Sequence, residues 1–383
     1  MAWDNSRTIV DRFENAAGLT GAVLPRGIEP GTTYQGFCKA MRSRGADLLE
    51  RAKAHLRAQI AARAGRWEKR LGFVAFGADG SRVSCPRTIA NEAAFGLWGR
   101  GATHPQMNLT CFWHMGVGLS WDWRIGGSRT GERELLLEML PDLPPEALVV
   151  GDAGFTGFDF LNAIQASGRF FLIRVGSNVE LLKGLGAYRC EGADTVYLWP
   201  EAHRDRPPLT LRLLRVGSVY LVANVLDRAR MTARKAGLLY RLRWGVEVGF
   251  RTLKQTLDRR AMRCAAPTQA KIELNWSVLG LTLVGLMSVA GLTRRRVDPL
   301  EWSPAASLRV LRRWRRPPAS PRPGTTGSPG DLLRALGRCV KDRYTRLCSK
   351  RSWCWPHKKN PPPPGAPTVT PATKALRDLA AAA

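Results

Sequence analysis

The sequence predicts an α/β fold, and three features of the 383-residue chain lead to that prediction. Short apolar runs of strand length alternate with longer stretches of helical composition. Two of these runs end at an Asp beside a Gly, which is typical of a strand that enters a turn. Hydrophobic residues make up 44% of the chain, which is enough for a sizeable buried core.

Residues 1–70 are the first predicted domain, a helical N-terminal segment. The stretch 46–71 has helical composition and is rich in Arg and Ala. Its predicted buried face consists of Leu48, Leu49, Ala52, His55, Leu56 and Ile60. Two roles fit this segment equally well: a small basic module that contacts DNA, or an arm that packs on the main domain.

Residues 71–292 are the second predicted domain. It begins with three strands that we expect to form an antiparallel meander, at 73–78, 107–116 and 119–125. The elements expected next are a helix (131–143), a strand (147–151), a helix (157–167) and a strand (169–175). This alternation of strands and helices is the basis for the α/β assignment.

A β-rich insertion is predicted at about residues 177–218, where the alternation of strands and helices stops. Short strand-like stretches occur in it at 195–199 and 209–216. An apolar strand (219–225) follows. Thr232 is then the predicted N-cap of the next helix.

That helix runs through residues 240–254. At about 100° per residue, five polar side chains fall within one stripe: Tyr240, Arg243, Glu247, Arg251 and Lys254. The opposite, apolar side is the expected core face: Leu239, Leu242, Val246, Gly249, Leu253 and Leu257. One carboxylate among several cations suits a site that binds a metal ion and a polyanion. The alternative is an ordinary surface helix with i,i+4 ion pairs.

The segment 272–292 is apolar enough to imitate a membrane span. Glu273 and Asn275 lie within it, so we expect a buried core helix and no membrane partner. Eight cysteines without a pairing rhythm, and no signal peptide at the start, favour a cytoplasmic protein.

Residues 293–383 are the third predicted domain, a basic Pro/Arg-rich tail. We expect it to be poorly ordered and able to lie along phosphates. The formal net charge of the whole chain is +28, which favours a polyanionic partner. The tail contains four residues that could bind zinc, but their spacing matches no standard zinc motif: Cys339, Cys348, Cys354 and His357.

Two carboxylates stand out besides Glu247. Asp79 and Asp152 each end an apolar strand. In an α/β sheet the ends of neighbouring strands bring such side chains to one edge, and a carboxylate on a following helix can complete the set. Three carboxylates suit Mg²⁺ or Mn²⁺, and two such ions can promote phosphodiester cleavage.

These residues resemble a known family. The spacing Tyr240-x2-Arg243-x3-Glu247-x6-Lys254 is similar to the Y-(2)-R-(3)-E-(6)-K signature of DDE transposases of insertion-sequence family four. The segments GADGS (77–81) and GDAGF (151–155) resemble the first and second Asp segments of that family. The resemblance extends over residues 72–290.

The resemblance implies an RNase H-like (retroviral integrase-like) catalytic core with a β-rich insertion. It implies that Asp79, Asp152 and Glu247 are the catalytic triad and bind Mg²⁺ or Mn²⁺ as a pair of ions. Tyr240, Arg243 and Lys254 would contact DNA phosphates of the transposon end.

Two further residues, Arg251 and Trp199, are candidates for contacts that the matched motifs do not assign. Family members often carry a basic residue after the second Asp, and this chain has Ala153 there. Arg251 lies on the polar stripe and is the expected substitute for that DNA contact. Trp199 is the candidate for an aromatic that stacks on a flipped base.

The expected function is metal-dependent cleavage of DNA at transposon ends and strand transfer into target DNA. The expected partners are double-stranded DNA, as terminal inverted repeats and target, and a second copy of the chain when DNA is bound. The expected location is the bacterial cytoplasm, at the nucleoid. The alternatives are an RNase H-like nuclease without strand transfer and a catalytically silent DNA-binding relic.

Overall fold

The structure is a computed structural model, and it describes residues 1–4, 6–20, 31, 33–97, 102–186, 191–199, 206–314, 329–342 and 365–382. The chain divides into two compact units. Unit 1 consists of Met1–Glu68, Asp79–Met139 and Gly245–Lys341, and unit 2 of Lys69–Ala78, Leu140–Trp244 and Asp342–Ala383.

The described residues contain both helices and strands. The helices are α1 (Ile9–Thr20), α2 (Tyr34–Ala64), α3 (Ile89–Phe95), α4 (Glu132–Met139), α5 (Phe158–Ala166), α6 (Ala233–Leu242), α7 (Trp244–Arg251), α8 (Pro267–Arg294), α9 (Pro304–Trp314), α10 (Pro329–Leu336) and α11 (Lys374–Ala382). The strands are β1 (Ala75–Ser84), β2 (Gln106–His114), β3 (Leu119–Gly126), β4 (Leu148–Gly151), β5 (Phe170–Val175), β6 (Glu180–Lys183), β7 (Thr195–Leu198), β8 (Leu209–Val216), β9 (Val219–Ala223) and β10 (Thr368–Pro371).

The strands form a large mixed sheet, which confirms the predicted α/β class. In unit 2 the order is β10-β6-β7-β8-β9-β5-β4-β1, and in unit 1 it is β1-β2-β3, because β1 contributes residues to both units. The pairs β1/β4, β4/β5 and β10/β6 are parallel. The pairs β2/β3, β5/β9 and β7/β8 are antiparallel.

Helix α2 packs against β3 and α8 in unit 1. Its buried residues are Gly45, Leu49, Lys53, Leu56, Ile60 and Ala64. The predicted face is therefore correct at Leu49, Leu56 and Ile60. It is wrong at Leu48 and His55, which are exposed.

The buried face of α2 also contains an ion pair that the predicted face does not include. Lys53 is 1% exposed, and its Nζ lies 2.9 Å from Oδ1 of Asp122 on β3, which is itself 0% exposed. Arg57 and Arg124 approach the same carboxylate at 3.4 Å and 3.0 Å. Apolar periodicity cannot reveal a lysine whose charge is balanced from another element. This contact favours the packing-arm role for the N-terminal segment.

Helix α8 is 28 residues long, and by length and composition alone it could cross a membrane. Its most apolar window has a mean hydropathy of 1.7, yet 67% of that window is buried inside the protein. The helix packs against α2, β3, α9 and α10 in unit 1. It is therefore a core helix of this unit, as predicted.

The described parts of the predicted tail contain regular structure. Helices α9 and α10 pack against α8 in unit 1, and β10 pairs with β6 in unit 2. The prediction of a poorly ordered tail is wrong for these residues, because apolar side chains recur at helical spacing among the cations, as Leu308 and Leu311 do on α9. The stretches 315–328 and 343–364, with Cys348, Cys354 and His357, lie outside the described residues.

Candidate active site and nucleic-acid interface

Asp79 lies on β1, in unit 1, and is partly buried. The pair Asp79-Gly80 was predicted to end the strand in a turn, but β1 continues to Ser84. The Asp79 Oδ1 accepts a hydrogen bond of 2.9 Å from the Gly80 N–H. The carboxylate of Glu132, in the first turn of α4, lies over Gly80, so a side chain at that position would overlap it. A side chain at position 80 would therefore require the Glu132 carboxylate to move, and the sequence pattern did not reveal this contact.

Asp152 directly follows β4, in unit 2, and caps a short 3₁₀ turn, Ala153–Phe155. Its Oδ1 accepts a hydrogen bond of 2.8 Å from the Gly154 N–H. The preceding Gly151 packs closely, because a Cβ there would come within 2.8 Å of the Ile173 side chain. The segment GDAGF thus holds its aspartate in a local cap at the end of a buried strand.

The signature residues were predicted to lie on one straight helix, and this prediction is wrong. Helix α6 ends at Leu242, α7 begins at Trp244, and a π-helical turn occupies Thr252–Thr256. In that turn the Leu257 N–H reaches back five residues to the Thr252 carbonyl, at 3.0 Å. A π turn changes the angle per residue, so a projection at 100° per residue fails beyond Arg251.

The predicted apolar face of this segment is largely correct. Leu239, Val246, Gly249, Leu253 and Leu257 are buried, whereas Leu242 is only partly buried. Within unit 1, the indole of Trp113 on β2 lies against the glycine side of α7. A Cβ at Gly249 would come within 2.6 Å of that ring, and one at Gly245 within 3.3 Å. The two glycines therefore allow α7, which carries Glu247, to approach β2 closely.

The polar side chains differ strongly in exposure. Arg251 is exposed, while Tyr240, Glu247 and Lys254 are partly buried. Arg243 is 8% exposed, so it is not the ordinary surface cation of the alternative interpretation, and its DNA contact stays a prediction. The break between α6 and α7 turns it inward, and its guanidinium carbon lies 5.5 Å from the centre of the Tyr240 ring.

Lys254 lies in the π turn. Burial lowers the pKa of its ammonium group, and the charge of Arg260 lowers it further. The exposed Arg251 and the partly buried Lys254 thus present cations in two different environments on the same segment.

A cavity of 380 Å³ lies beside the signature residues of unit 2. Its polar and aromatic walls come from Tyr240, Arg241, Arg243 and Trp244, and its apolar floor from β8 and β9. Trp244 is 53% exposed. Such a combination suits nucleic acid, because guanidinium groups bind the phosphates and an exposed aromatic ring can stack on a base.

Trp199, the candidate stacking aromatic, is partly buried. Its side chain packs against a cluster that includes Leu185, Tyr197, Ala372 and Leu376 in unit 2. The C-terminal helix α11 supplies Leu376 to this cluster, so a segment distant in the sequence contributes to the surroundings of Trp199.

The three predicted metal ligands are distributed over both units. Asp79 and Glu247 belong to unit 1 and Asp152 to unit 2. Across the part of the chain that the structure describes, no group of three or more His, Cys, Asp or Glu side chains is arranged to hold a metal ion. By residue type, three carboxylates fit a hard cation such as Mg²⁺.

Known proteins similar to this chain include a transposase family, a bacterial relative and a solved structure. The family described as Transposase DDE domain matches residues 75–283, more than half of the chain. Transposase InsG for insertion sequence element IS4, from Escherichia coli (strain K12), is 30% identical over 227 residues. The match covers 54% of this chain and 50% of InsG, so the chain spans about half the length of that relative.

The third match is a cryo-EM structure of the piggyBac transposase synaptic complex with hairpin DNA. It has 12% identity and a TM-score of 0.38, over 72% of this chain and 59% of that one. A TM-score this low does not define the fold. The family match and the IS4 relative confirm the predicted resemblance. The chain belongs to the transposase DDE domain family, and within that family it is similar to InsG, a transposase of insertion sequence element IS4.

Proposed function

We propose that the chain is a DNA transposase that cuts DNA at transposon ends and joins the new 3′ ends to target DNA. The observation that carries this proposal is the parallel pairing of β1 with β4. The last register pair is Gly77 with Val150, and Asp79 and Asp152 each follow two residues later. Both aspartates thus follow the carboxyl end of a paired stretch, where α/β proteins bind their ligands.

An RNase H-like core is part of the proposal. Its support is the order of elements along the chain: β1, β2 and β3 (with the short helix α3 between β1 and β2), then α4, β4, α5 and β5, then the β-rich strands, then α6 and α7. This is the order that the family resemblance implies. The proposed catalytic domain is residues 71–292, with the insertion at about 177–218.

Asp79, Asp152 and Glu247 are the proposed ligands of a pair of Mg²⁺ or Mn²⁺ ions. Carboxylate oxygens are the ligands these ions prefer. Backbone N–H groups of Gly80 and Gly154 orient the two aspartates. When bound, the ions supply an activated water or 3′-hydroxyl and stabilise the leaving oxygen. The contribution of the chain is to hold one carboxylate on β1, one after β4 and one on α7.

The signature cations are the proposed DNA contacts. Arg251 is exposed, and Arg243 and Tyr240 border a cavity in unit 2. A guanidinium group can bind two phosphate oxygens at once. When the group is buried and stacked on a ring, its orientation is fixed. Lys254 adds a partly buried charge. These groups would hold the phosphates of the transposon end while the carboxylates act on the scissile bond.

The proposed partners are double-stranded DNA, with terminal inverted repeats and target, and a second copy of the chain. Two transposon ends must be joined in one event, and a dimer on DNA supplies one active site for each. The proposed location is the bacterial cytoplasm, at the nucleoid.

The test is a cleavage and joining assay with Mg²⁺, using the inverted repeats from the DNA that flanks the gene. We expect cleavage at the ends and insertion of precleaved ends into a supercoiled plasmid. Asp152→Asn should abolish both reactions, although Asn can still accept the Gly154 hydrogen bond.

The two alternatives predict different results in the same assay. Cleavage without joining would favour a simple nuclease. Equal behaviour of the wild type and Asp152→Asn, with DNA binding but no cleavage, would favour a catalytically silent relic.

A further inference from the structure

An ion cluster in unit 2 joins the β-rich insertion to the start of the signature helix. Arg212 on β8 is 5% exposed, and its Nε and Nη2 each lie 2.8 Å from Oδ2 of Asp194, which precedes β7. Arg228 donates to the other oxygen of Asp194 at 2.7 Å. Burial would raise the pKa of the Asp194 carboxyl, but the bonds to Arg212 and Arg228 outweigh it and lower the pKa.

Arg212 also contacts the backbone just before α6. Its Nη1 donates to the carbonyl of Met231 at 2.7 Å and to that of Asp227 at 3.4 Å. The next residue, Thr232, is the N-cap of α6 and accepts from the Lys235 N–H. One arginine therefore links the insertion to the turn that starts the helix.

Other cations hold the same turn. Lys235 Nζ donates to the carbonyls of Ala229 and Arg230, each at 3.2 Å. The guanidinium of Arg228 lies over Gly192, so a side chain at position 192 would displace it. Four carbonyls in the 227–231 segment thus accept bonds from Arg212 or Lys235.

Helix α6 rests directly on β8, the strand that carries Arg212. A Cβ at Gly237 would come within 2.5 Å of Val216, so helix and strand are in close contact. One turn further along α6 is Tyr240, and Arg243 follows the end of the helix. A shift at the start of α6 would therefore move both residues relative to β8.

We propose that Arg212, held by Asp194, is a positioning residue for the DNA-binding side chains Tyr240 and Arg243. This inference rests on the proposed function, because it concerns how that site is aligned. The buried guanidinium fixes the first turn of α6 against the insertion. Tyr240 and Arg243 then meet the DNA phosphates in one orientation. The insertion is thus part of the active-site scaffold.

The test compares Arg212→Met with Arg215→Met, which removes an exposed arginine from the same strand. We expect single-turnover cleavage at saturating DNA to fall on the order of ten- to a hundredfold in Arg212→Met, because misplaced binding groups weaken catalysis at a distance. Arg215→Met should stay within about twofold. Arg212→Lys keeps the charge and should recover part of the loss.

A double-mutant cycle separates positioning from general damage. If Arg212 acts through Tyr240 and Arg243, the loss in the variant carrying both Arg212→Met and Arg243→Met should be smaller than the product of the two single losses. Multiplicative losses would overturn the proposal.

Hydrogen exchange without DNA gives an independent readout. The amides at the start of α6 should exchange faster in Arg212→Met than in Arg215→Met, and equal rates would overturn the proposal. If Arg212→Met does not fold, Arg212→Lys serves in both experiments. A wild type that does not cleave DNA would refute the proposed function, and the exchange experiment would still decide whether Arg212 holds α6.

Discussion

At the scale of single residues, Glu247 is a proposed metal ligand on a segment that also carries the proposed DNA-binding cations. It lies in the first turn of α7 among cations, and its helix is held against Trp113 through glycines. A metal ligand needs its charge, whereas phosphate binding by neighbouring cations does not. Cleavage and DNA binding should therefore respond differently to loss of that charge.

Glu247→Gln should keep DNA affinity within about threefold and reduce cleavage by more than about a hundredfold, because loss of even an indirect metal partner costs 10- to 100-fold. Single-turnover assays with Mg²⁺ and binding titrations measure the two effects. Glu134→Gln, which removes an exposed carboxylate from α4, is the control. Retained cleavage would remove Glu247 from the proposed triad.

A second residue-scale feature is the buried pair of Lys53 and Asp122. Lys53→Met should lower the free energy of unfolding by about 3 kcal/mol, because it removes one charge from a buried pair. Arg51→Met, at a 76% exposed side chain paired with Asp47, should cost less than about 0.5 kcal/mol. Urea denaturation measures both. Equal losses would show that the buried pair does not stabilise α2 on β3.

At the scale of elements, the segment from α6 through the π turn shows what periodicity can and cannot predict. The apolar face was predicted almost completely, because burial of Leu239, Val246 and Leu253 follows from their spacing. The break at Arg243 and the π turn were not. They interrupt the regular 3.6-residue repeat on which the projection depends.

Gly249→Ala tests the fit of α7 on β2. The added methyl group would come within 2.6 Å of the Trp113 ring, so helix or ring must move. We expect a stability loss of about 1–3 kcal/mol and reduced cleavage. Gly18→Ala on α1, where nothing lies within 4 Å, is the matched control and should be neutral or stabilising. Adding Trp113→Leu to Gly249→Ala should restore part of the stability. If Gly249→Ala behaves like Gly18→Ala, the close packing is not important.

At the scale of the whole molecule, charge decides how DNA is bound. The net charge is +28, and exposed cations occur in both units. Non-specific DNA binding should weaken steeply with salt, because each neutralised phosphate releases counterions. For 6–10 phosphate contacts, affinity should fall by about 10³–10⁵ between 50 and 200 mM salt. Fluorescence anisotropy at several salt concentrations measures the slope, and a flat dependence would contradict phosphate-dominated binding.

The sequence alone determined the α/β class, most strand positions and the family. These depend on local apolar patterns and on the spacing of a few chemical groups, and both can be read along one chain. Strand β8 was predicted at its observed limits, 209–216, for that reason. The carboxylates of the proposed triad could be proposed because an Asp-Gly pair or a Gly-Asp pair after an apolar run and the signature spacing are local features, although β1 continues past Asp79 to Ser84.

The tertiary structure decided which charged groups are buried and what each one contacts. Lys53 and Arg212 look like surface cations in the sequence, yet each is buried because its partner is a carboxylate or a carbonyl brought to it by folding. The same holds for the tail strand β10, which needs the edge of β6 to form. Burial of a charge requires compensation from other elements, so no pattern within one segment can predict it.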